Sequence, residues 1–516
     1  MDSRFKLNLI NMSETKINSI SRRRFLKASA VAVAGLSVVP YIRCSRGAIT
    51  GPMKRTFGNL NFDVTTLGLG GQASIQWTPD DVDPLSIILK AFNLGVNYFD
   101  TSNVYGPSQL NFGTAFRKLE LIPGHTGYKE SLRKSIWLTS KTHLRWAKGA
   151  EEKEGIRHVT NGPEGTLTVD DLKRSLSQIF GDGEGNYPEG SYLDMILIHN
   201  LNTLQEVDVL YEGLENPDPT AEHIGALAAL RDYRDGTNLT GLNPKEEKLI
   251  RHIGFSGNHS APVMMEMIRR DKFNVLDGML VAINANDRLN FNMQHNVISV
   301  ASAKNMGVIA MKVFADGAMY TKDAEWSWKP EHVVRTVGSS SLPSRPLIEY
   351  SLTTPGIHTA IIGIGQISED PELCQLHQNF QSAGIEPDGL NETERQEVEQ
   401  MACMVKGGKT NYFQIPEEGL TAPGDPSISQ QLTNEQRVIN LTWHTAYAGT
   451  EPIKTYEILR DNEKIGEIIH TPQTTKDPFV FKENVADRNA HEYKLVSVDK
   501  SGRKAETDIL VLPSME

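Results

Sequence analysis

Short apolar runs alternate with amphipathic segments over residues 57–367 of the chain. The segment Val169–Phe180, for example, places its leucines and an isoleucine at i, i+4 and i+7, as one face of a helix requires. Two further helices are predicted at Pro84–Asn93 and Ala221–Arg234. The candidate strands between them are Thr66–Leu69, Tyr98–Asp100, Ile136–Ser140, Met195–His199, His252–Ser256, Met279–Ile283, Val308–Met311 and Thr359–Gly363.

Repeated units of a short apolar strand and a helix indicate a parallel sheet that is buried on both faces. About eight such units favour an α/β fold of the (β/α)8 TIM barrel type. A doubly wound parallel sheet is the structural alternative.

Three segments rich in Gly, Asn, Asp and charged residues are interpreted as insertions: Leu144–Thr166, Gly181–Gly190 and Asp235–Glu247. Such segments usually form surface loops. Loops that follow barrel strands lie on the catalytic face, so we expect these insertions to shape a substrate pocket there.

The pattern changes after the Pro-, Gly- and Glu-rich segment 415–426 and becomes a period of two. Several short strands at this spacing predict a small all-β sandwich of about 90 residues. The candidate strands are Val438–Trp443, Thr455–Arg460, Lys464–Ile469, Glu492–Val498 and Asp508–Leu512. Trp443, Tyr456 and Tyr493 are interpreted as core aromatics rather than as a sugar-binding platform, and the module resembles a fibronectin type III domain.

The N-terminus carries the pattern of an export signal. The basic segment Ser21–Lys27 (SRRRFLK) precedes a short apolar run, Ala28–Val39. That run, about 12 residues, is too short to span a bilayer, so no membrane span is predicted in the mature form. SRRRFLK fits the twin-arginine (Tat) pattern at every position, which predicts the Tat export machinery as a partner and a periplasmic or other extracytoplasmic location. A basic arm without a targeting role is the alternative.

These changes predict four parts of the chain. Residues 1–50 are a Tat signal peptide and linker, and residues 51–414 are the barrel. Residues 415–426 are a second linker, and residues 427–516 are the fibronectin type III-like domain.

Composition narrows the partners. The chain has 516 residues, with 64 acidic against 53 basic side chains and a net charge of −11. A chain with this excess of acidic residues is not a general polyanion binder. No nucleic-acid partner is therefore predicted. The three cysteines, Cys44, Cys374 and Cys403, exclude a disulfide scaffold, and without a CxxC pair no metal site is predicted.

The segment Gly68–Ala73 matches the G-x-G-x-x-A pattern of dinucleotide-binding folds. That fingerprint requires a helix directly after the glycines, and Ser74–Pro79 gives no signal for one. We therefore interpret the glycines as a tight turn at the mouth of the barrel rather than as a Rossmann motif.

Four polar residues follow successive candidate strands. Asp100 and Tyr105 come after the first, Lys141 after the second and His199 after the third. The carboxyl ends of barrel strands converge on one face, so these side chains are expected to meet. A phenol has a reference pKa of about 10, which an ammonium can lower while a buried carboxylate holds that ammonium in place. Tyrosine as general acid, with histidine orienting a carbonyl oxygen, suits reduction of a carbonyl by hydride.

Residues from about 54 to 385 resemble the aldo-keto reductase superfamily. The resemblance lies in Gly95–Gly106 (GVNYFDTSNVYG), Lys141, His199 within Leu-Ile-His, and Ile253–Gly257 (IGFSG). It implies a barrel that binds NAD(P)(H) without a Rossmann fold. In that family pattern Tyr105 is the proton donor or acceptor, Lys141 and Asp100 tune it, and His199 positions the substrate oxygen.

The resemblance also implies a set of cofactor-binding residues, although these motifs match less well. Leu280 stands where the family has a glutamine, so Asn284 or Asn286 is expected to substitute for it. Met311 stands where the family often has an aromatic residue. The amides of the Gly363–Gly365 turn are expected to suit phosphate. The implied set is Gly70, Ser256, Gly257, Asn258, Asn284, Lys312, Gly363, Gly365, Gln378 and Asn379.

The cofactor is expected to be NAD or NADP, with a slight preference for NAD. NADP-binding sites usually offer cations to the 2′-phosphate, whereas residues 366–372 are acidic and Gln375 replaces a frequent arginine. Alternatively, this loop faces solvent and carries no information about the cofactor.

Together these features predict an exported NAD(P)-dependent oxidoreductase that interconverts a carbonyl and an alcohol, with a sugar as one candidate substrate. Two alternatives are not enzymes. The barrel can be a catalytically degenerate module that binds a carbohydrate or a partner, or the C-terminal domain can itself bind carbohydrate.

Overall fold

The structure, a computed structural model, describes residues 51–433 and 436–515. The predicted signal peptide and Cys44 lie outside the described residues. Within them, no helix is both long and apolar enough to cross a membrane. The same residues contain no group of three or more His, Cys, Asp or Glu side chains placed to hold a metal ion.

Eight parallel strands close into a barrel in the order Gly278–Ala282, Gly307–Met311, Thr359–Gly363, Leu67–Gly70, Tyr98–Asp100, Trp137–Thr142, Leu193–Ile198 and Ile250–Gly257. All eight predicted strands are present in it, which confirms the TIM barrel over the doubly wound sheet. The strands of residues 54–363 are β1 (Lys54–Thr56), β2 (Asp63–Thr65), β3 (Leu67–Gly70), β4 (Tyr98–Asp100), β5 (Trp137–Thr142), β6 (Trp146–Lys148), β7 (Leu193–Ile198), β8 (Ile224–Gly225), β9 (Ile250–Gly257), β10 (Gly278–Ala282), β11 (Gly307–Met311) and β12 (Thr359–Gly363).

The helices cover the outside of the barrel, so strands such as β7 are buried along their whole length. Two predicted helices, Pro84–Asn93 and Val169–Phe180, are found within one residue of their expected bounds. The helices are Pro84–Asn93, Ser108–Lys118, Glu130–Lys134, Thr168–Phe180, Leu204–Leu210, Ala226–Asp235, Ala261–Arg269, Val297–Ala303, Ser344–Leu352, Gln375–Ser382 and Glu392–Met404.

The helix predicted at Ala221–Arg234 begins five residues later, at Ala226. Its expected first turn is instead the short strand β8, which pairs antiparallel with β6. A side chain on Gly225 would lie 2.1 Å from the carbonyl oxygen of Val209. Glycine thus permits a close chain contact that the helical pattern of apolar residues could not reveal.

The hairpin of β1 and β2 packs under the end of the barrel at which the strands begin. Phe57 lies edge-on to the rings of Tyr98 and Trp137, with centroids 5.9 and 5.3 Å away. All three rings belong to one buried cluster. This end of the barrel is therefore filled, and the opposite end is left for a site.

The insertions divide between the two ends of the barrel. Leu144–Thr166 follows β5 and lies on the face at which the strands end, as predicted, although Leu144 and Trp146 are buried. Gly181–Gly190 and Asp235–Glu247 follow helices and lead into strands, so they lie at the other end. The prediction that these two segments shape a substrate pocket on the catalytic face was wrong, because the element before a loop decides its face.

The C-terminal part contains two antiparallel sheets. One joins the strands Gly424–Thr433, Gln436–His444 and Phe479–Val485, and the other joins Glu463–Ile469, Ile453–Arg460, His491–Asp499 and Lys504–Glu506, with Leu510–Leu512 paired to His491–Asp499. Trp443, Tyr456 and Tyr493 are fully buried between them, which confirms their interpretation as core residues. The first strand begins at Gly424, inside the segment predicted as a linker. The strands are β13 (Gly424–Thr433), β14 (Gln436–His444), β15 (Ile453–Arg460), β16 (Glu463–Ile469), β17 (Phe479–Val485), β18 (His491–Asp499), β19 (Lys504–Glu506) and β20 (Leu510–Leu512).

This C-terminal domain is bound to the barrel through buried amides, and both belong to one compact unit. The Asn292 side chain donates to the carbonyl of Gly449 at 2.7 Å. The Asn296 amide accepts from the backbone N–H of Ala448 at 2.9 Å and donates to its carbonyl at 3.1 Å. Arg288 adds a bond to the carbonyl of Thr450 at 2.9 Å. Buried amides that are hydrogen-bonded in this way fix the domain in place.

His470 makes the stability of the C-terminal domain depend on pH. Burial lowers its pKa to about 4, whereas the unfolded chain binds that proton near the reference pKa of about 6.5. The unfolded state thus binds more protons between these values, and stability is lost as the pH falls through that window. The wild type should lose unfolding free energy between pH 7.5 and pH 4.5. We expect urea titrations to show that this loss is about 2 kcal/mol smaller in His470→Gln.

His491 in the same domain is the matched control. Its hydrogen bond to Asp461 and the neighbouring Asp487 raise its pKa, so it stabilises the fold at low pH and loses that effect as the pH rises. His491→Gln should therefore increase the loss on acidification. A His470→Gln variant that loses as much stability as the wild type would contradict the expectation.

Candidate active site

The four predicted catalytic side chains meet where the barrel strands end. Asp100 is the last residue of β4, Lys141 lies near the end of β5, and His199 directly follows β7. Tyr105 reaches the same place from the loop before the helix Ser108–Lys118. The structure thus brings together all four residues that the sequence singled out.

Lys141 and Asp100 form a buried ion pair. The ammonium donates to the Asp100 carboxylate and to the carbonyl of Thr101 at 2.8 Å, and both charged side chains are at most 1% exposed. Burial raises the pKa of Asp100, whereas Lys141 opposes that rise. Burial likewise lowers the pKa of Lys141 against the effect of Asp100. Each charge therefore depends on the other.

Tyr105 lies against this pair and against His199. Its hydroxyl is 3.4 Å from His199 Nε2, and the Lys141 ammonium lies 4.6 Å from the ring centroid. Burial raises the pKa of Tyr105 well above its usual value, and the carboxylates of Asp100 and Asp316 add to the rise. The lowering of this pKa that was predicted from Lys141 is not observed, because burial dominates. Tyr105 thus holds its proton at neutral pH, as a general acid must.

His199 is held in its neutral form. Burial lowers its pKa well below the usual value, and His143, Lys141 and Arg145 lower it further. Its Nδ1 lies 3.3 Å from the Ser102 hydroxyl, while Nε2 faces Tyr105. A neutral imidazole in this position can hydrogen-bond a carbonyl oxygen without carrying charge.

Two buried residues that the sequence analysis missed hold the backbone of His199. Arg145 Nη2 donates to the carbonyl of His199 at 2.8 Å and to the Glu206 carboxylate at 3.1 Å. Both charged side chains are fully buried. Arg145 lies in an insertion and Glu206 near the start of a helix, where their residue types alone gave no signal.

Arg145→Lys is expected to disturb catalysis more than its effect on stability suggests. Lysine keeps a charge for Glu206 but lacks the fork that also reaches the His199 carbonyl. Losing one charge-assisted hydrogen bond should cost about 1–2 kcal/mol of unfolding free energy. We expect kcat to fall about tenfold with a smaller change in KM, because the displaced imidazole mainly affects the transition state.

Arg133→Lys provides the matched control. Arg133 is also buried and donates to the Asp194 carboxylate and the carbonyl of Tyr192, both at 2.8 Å, at the opposite end of the barrel. The Arg133→Lys variant should lose about as much unfolding free energy as Arg145→Lys, with no change in kcat. Equal kcat values for the two variants would show that Arg145 has only a structural role.

A long cleft opens beside Tyr105 and runs across the end of the barrel. Its lining includes Gly70, Tyr105, Leu280, Lys312, Gly363 and Asn379. A side chain on the neighbouring Gly71 would lie 2.4 Å from the carbonyl oxygen of Asp100. Only the three-residue 3-10 helix Ala73–Ile75 follows, which confirms a tight turn at the barrel mouth rather than a Rossmann motif.

A family model agrees with this fold and site. The model described as the aldo/keto reductase family matches residues 66–335, more than half of the chain. The chain belongs to the aldo/keto reductase family. It is therefore an NAD(P)-dependent oxidoreductase with a small-molecule carbonyl substrate, as the resemblance of its motifs implied.

Solved structures with similarity to this chain carry the same family name. A putative aldo-keto reductase from Pseudomonas aeruginosa is 20% identical and aligns over 65% of this chain and 95% of its own, with a TM-score of 0.38. An aldo/keto reductase from Klebsiella pneumoniae, solved with NADP and acetate, is 15% identical over 66% of this chain and 92% of its own, with a TM-score of 0.39. At such low similarity, the assignment depends on the family model.

Only part of the predicted cofactor set of this aldo/keto reductase lines the cleft. Gly70, Lys312, Gly363 and Asn379 do. The remaining residues do not line it: Ser256, Gly257, Asn258, Asn284, Gly365 and Gln378. Ser256 instead accepts a hydrogen bond from the backbone N–H of Asn200 at 2.9 Å.

Asn284 was expected to replace the family's glutamine, but its amide is already engaged. It exchanges two hydrogen bonds with the Asn411 amide, at 3.0 and 3.1 Å. It also donates to the carbonyl of Lys312 at 2.9 Å. Asn286, the other candidate, donates to the Thr410 hydroxyl at 2.8 Å. Both amides thus hydrogen-bond a later segment of the chain, at Thr410 and Asn411, and are not directed at a ligand.

Two of the amides after β12 are not free for a phosphate, contrary to expectation. The N–H groups of Gly365 and Gln366 donate to Gln375 Oε1 at 2.8 and 3.0 Å. The Gln375 amide donates in turn to the carbonyls of Val334 and Thr336 at 3.0 and 2.9 Å. Gln375 thus ties β12 to the loop over the cleft. The amide of Gln378 donates to the carbonyl of Pro371 at 3.0 Å.

The loop after β11, residues 312–343, walls the cleft but was not recognised from the sequence. Lys312 and Asp316 both have left-handed backbone, at φ +61° and +56°, and their charged groups are 3.7 Å apart. The Asp316 carboxylate also accepts from Lys322 at 3.2 Å and from the Tyr412 hydroxyl at 3.1 Å. Such backbone strain, held by an ion-pair network, is typical of a ligand site.

The acidic residues that favoured NAD are turned away from the cleft. Glu369, Asp370 and Glu372 are exposed and do not line it. A cation does contact this loop, since Arg335 donates to Gln366 Oε1 at 3.1 Å, although its guanidinium is also paired with Asp81. These positions remove the electrostatic argument for NAD.

Proposed function

We propose that this aldo/keto reductase is an exported enzyme that interconverts a carbonyl and an alcohol, with Tyr105 moving the proton. The observation that carries the proposal is the placement of Tyr105, protonated and within 3.4 Å of His199, at the wall of the cleft. A carbonyl oxygen between these two groups can accept a hydrogen bond from each.

The cleft fits a nicotinamide dinucleotide. Gly70 and Gly363 leave the strand ends bare, since a side chain on Gly70 would lie 3.1 Å from Gly363 N. Tyr320 lines the cleft, and its hydroxyl has no hydrogen-bond partner among the described residues. Lys312 lies on the same wall, with its ammonium 3.7 Å from the Asp316 carboxylate, and would be the cation that meets a diphosphate. Asn379 would hold the adenosine end.

The residues divide the work of reduction. When bound, a reduced nicotinamide cofactor would supply a hydride for the carbonyl carbon. Tyr105 donates its hydroxyl proton to the carbonyl oxygen, and His199 Nε2 orients that oxygen. Lys141 stabilises the phenolate that remains, since its ammonium lies beside the ring and Asp100 holds it there.

The cofactor and its loading can be tested together. Protein purified from its export compartment is denatured, and any released nucleotide is identified by mass spectrometry. We expect NAD or NADP, bound before export, because free nucleotide is scarce outside the cytoplasm. If none is released and titration with either nucleotide leaves protein fluorescence unchanged, the chain is a binding module, as Leu280 and the engaged Asn284 would then explain.

A polar carbonyl compound such as a sugar is proposed as the substrate.

Export is proposed from the SRRRFLK motif. Replacing both Arg22 and Arg23 by lysine should retain the protein in the cytoplasm, since the Tat route recognises this pair. The measurement is the fraction of protein in the cytoplasm and the periplasm. Arg4→Lys, outside the motif, is the control and should leave export unchanged.

A further inference from the structure

The charges beside His199 do not balance. Lys141 is paired with Asp100, whereas Glu206 lies between two guanidinium groups, 3.1 Å from Arg145 and 3.7 Å from Arg157. Glu206 can neutralise only one of them, so a positive charge remains next to the catalytic histidine.

That charge is exposed at Arg157. The side chain of Arg157 is 46% exposed, whereas those of Arg145 and Glu206 are fully buried. Its Nη2 donates to the carbonyl of Asn200, the residue after His199, at 2.8 Å. Its backbone N–H donates to Glu206 at 3.3 Å. The guanidinium is thus held against the backbone that follows His199, and nearly half of the side chain stays exposed.

The insertion that carries Arg157 is fastened on both sides of it. Thr203 Oγ1 donates to the carbonyl of Gly155 at 2.7 Å, and Thr160 Oγ1 donates to the buried carboxylate of Asp171 at 2.8 Å. Val159 forms a β-bridge with His143, whose ring lies 5.2 Å from that of His199. Arg157 is therefore positioned before any ligand arrives, which reduces the entropy lost on binding.

We propose that Arg157 binds an anionic group, a carboxylate or a phosphate, on the carbonyl substrate of this enzyme. The inference rests on the proposed function and narrows its substrate class to acidic carbonyl compounds. A planar guanidinium matches the two oxygens of such groups. The buried pair of Arg145 and Glu206 holds the backbone of His199 in place, and Arg157 favours substrates that carry an anionic group.

The test compares two aldehydes that differ in charge, 4-carboxybenzaldehyde and its neutral methyl ester, with the nucleotide-loaded full chain. We expect kcat/KM to be about 10- to 100-fold higher for the carboxylate, as for a charge-assisted hydrogen bond. Arg157→Gln should bring the ratio close to one, and Arg157→Lys should keep part of it. Added salt should also lower it, because the group is exposed.

Lys153→Gln is the matched control on the same insertion. Its ammonium is paired with Glu151 and lies 5.2 Å from the Trp146 ring, away from Glu206. This variant should keep the wild-type ratio. A ratio near one in the wild type, or the same ratio in Arg157→Gln, would overturn the inference.

Failure of the proposed function has a different signature. If neither aldehyde is reduced, the preference is measured as the affinity of the resting protein for the two compounds, by calorimetry. Tighter binding of the carboxylate that Arg157→Gln abolishes would support the anion site in a protein that is not a reductase. Equal affinities for the two compounds, together with no reduction of either, would overturn both the anion site and the proposed function.

Discussion

Tyr105→Phe is expected to lower the rate of carbonyl reduction by about 10²- to 10⁴-fold, the usual contribution of a general acid. The substitution removes the only atom of this side chain that can give a proton, and leaves the ring against Lys141 in place. Nucleotide affinity should hardly change. The measurements are steady-state kinetics with a carbonyl substrate and a fluorescence titration with nucleotide.

Tyr98→Phe is the control for the loss of a buried hydroxyl. Tyr98 lies two residues before Asp100 in β4, and its hydroxyl accepts a hydrogen bond from Thr139 at 2.9 Å, away from the cleft. This variant should lose about 1 kcal/mol of stability and keep its activity. If Tyr105→Phe kept full turnover, the proton would have to come from another group, and the proposed mechanism would be wrong.

Lys141→Met is expected to lower both stability and turnover. The substitution leaves the Asp100 carboxylate buried without a partner, which typically costs about 3–5 kcal/mol. The folded pKa of that carboxyl would rise further, so the stability that the variant loses relative to the wild type should be smaller at low pH, where Asp100 is protonated, than at neutral pH. Urea titrations at two pH values measure this difference.

The double variant Asp100→Asn, Lys141→Met separates the two effects. It leaves no buried charge at these two positions, so most of the lost stability should return. Turnover should stay low, because no ammonium remains to stabilise the Tyr105 phenolate. Recovery of activity together with stability would show that the ion pair serves only the fold.

The sequence predicted the barrel well because its signals are local. A buried parallel strand is a short apolar run, and Tyr98–Asp100 and Thr359–Gly363 were predicted with their exact bounds. The four proposed catalytic residues follow from the same pattern, since each comes at or after the end of such a run. The separation of Gly181–Gly190 from the catalytic face also follows from element order, once the preceding helix is taken into account.

The residues that were expected to bind the cofactor could not be predicted in the same way. The roles of Asn284 and Gln375 depend on partners that are distant in the chain or lie in loops, such as Asn411 and the carbonyl of Val334. An amide can face a ligand or another amide with equal chemistry, so residue type alone does not decide between them. The charged partners Arg145 and Glu206 were missed for the same reason.

The bonds between Asn292, Asn296 and the loop Ala448–Gly449 have a consequence for the maturation of this protein. Separating the two domains would leave these buried amides unpaired, so the domains should unfold cooperatively. The Tat route carries folded proteins. If the chain is exported as proposed, translocation must therefore await synthesis of its last strands, and a nascent barrel would remain a cytoplasmic intermediate until the C-terminal domain has docked.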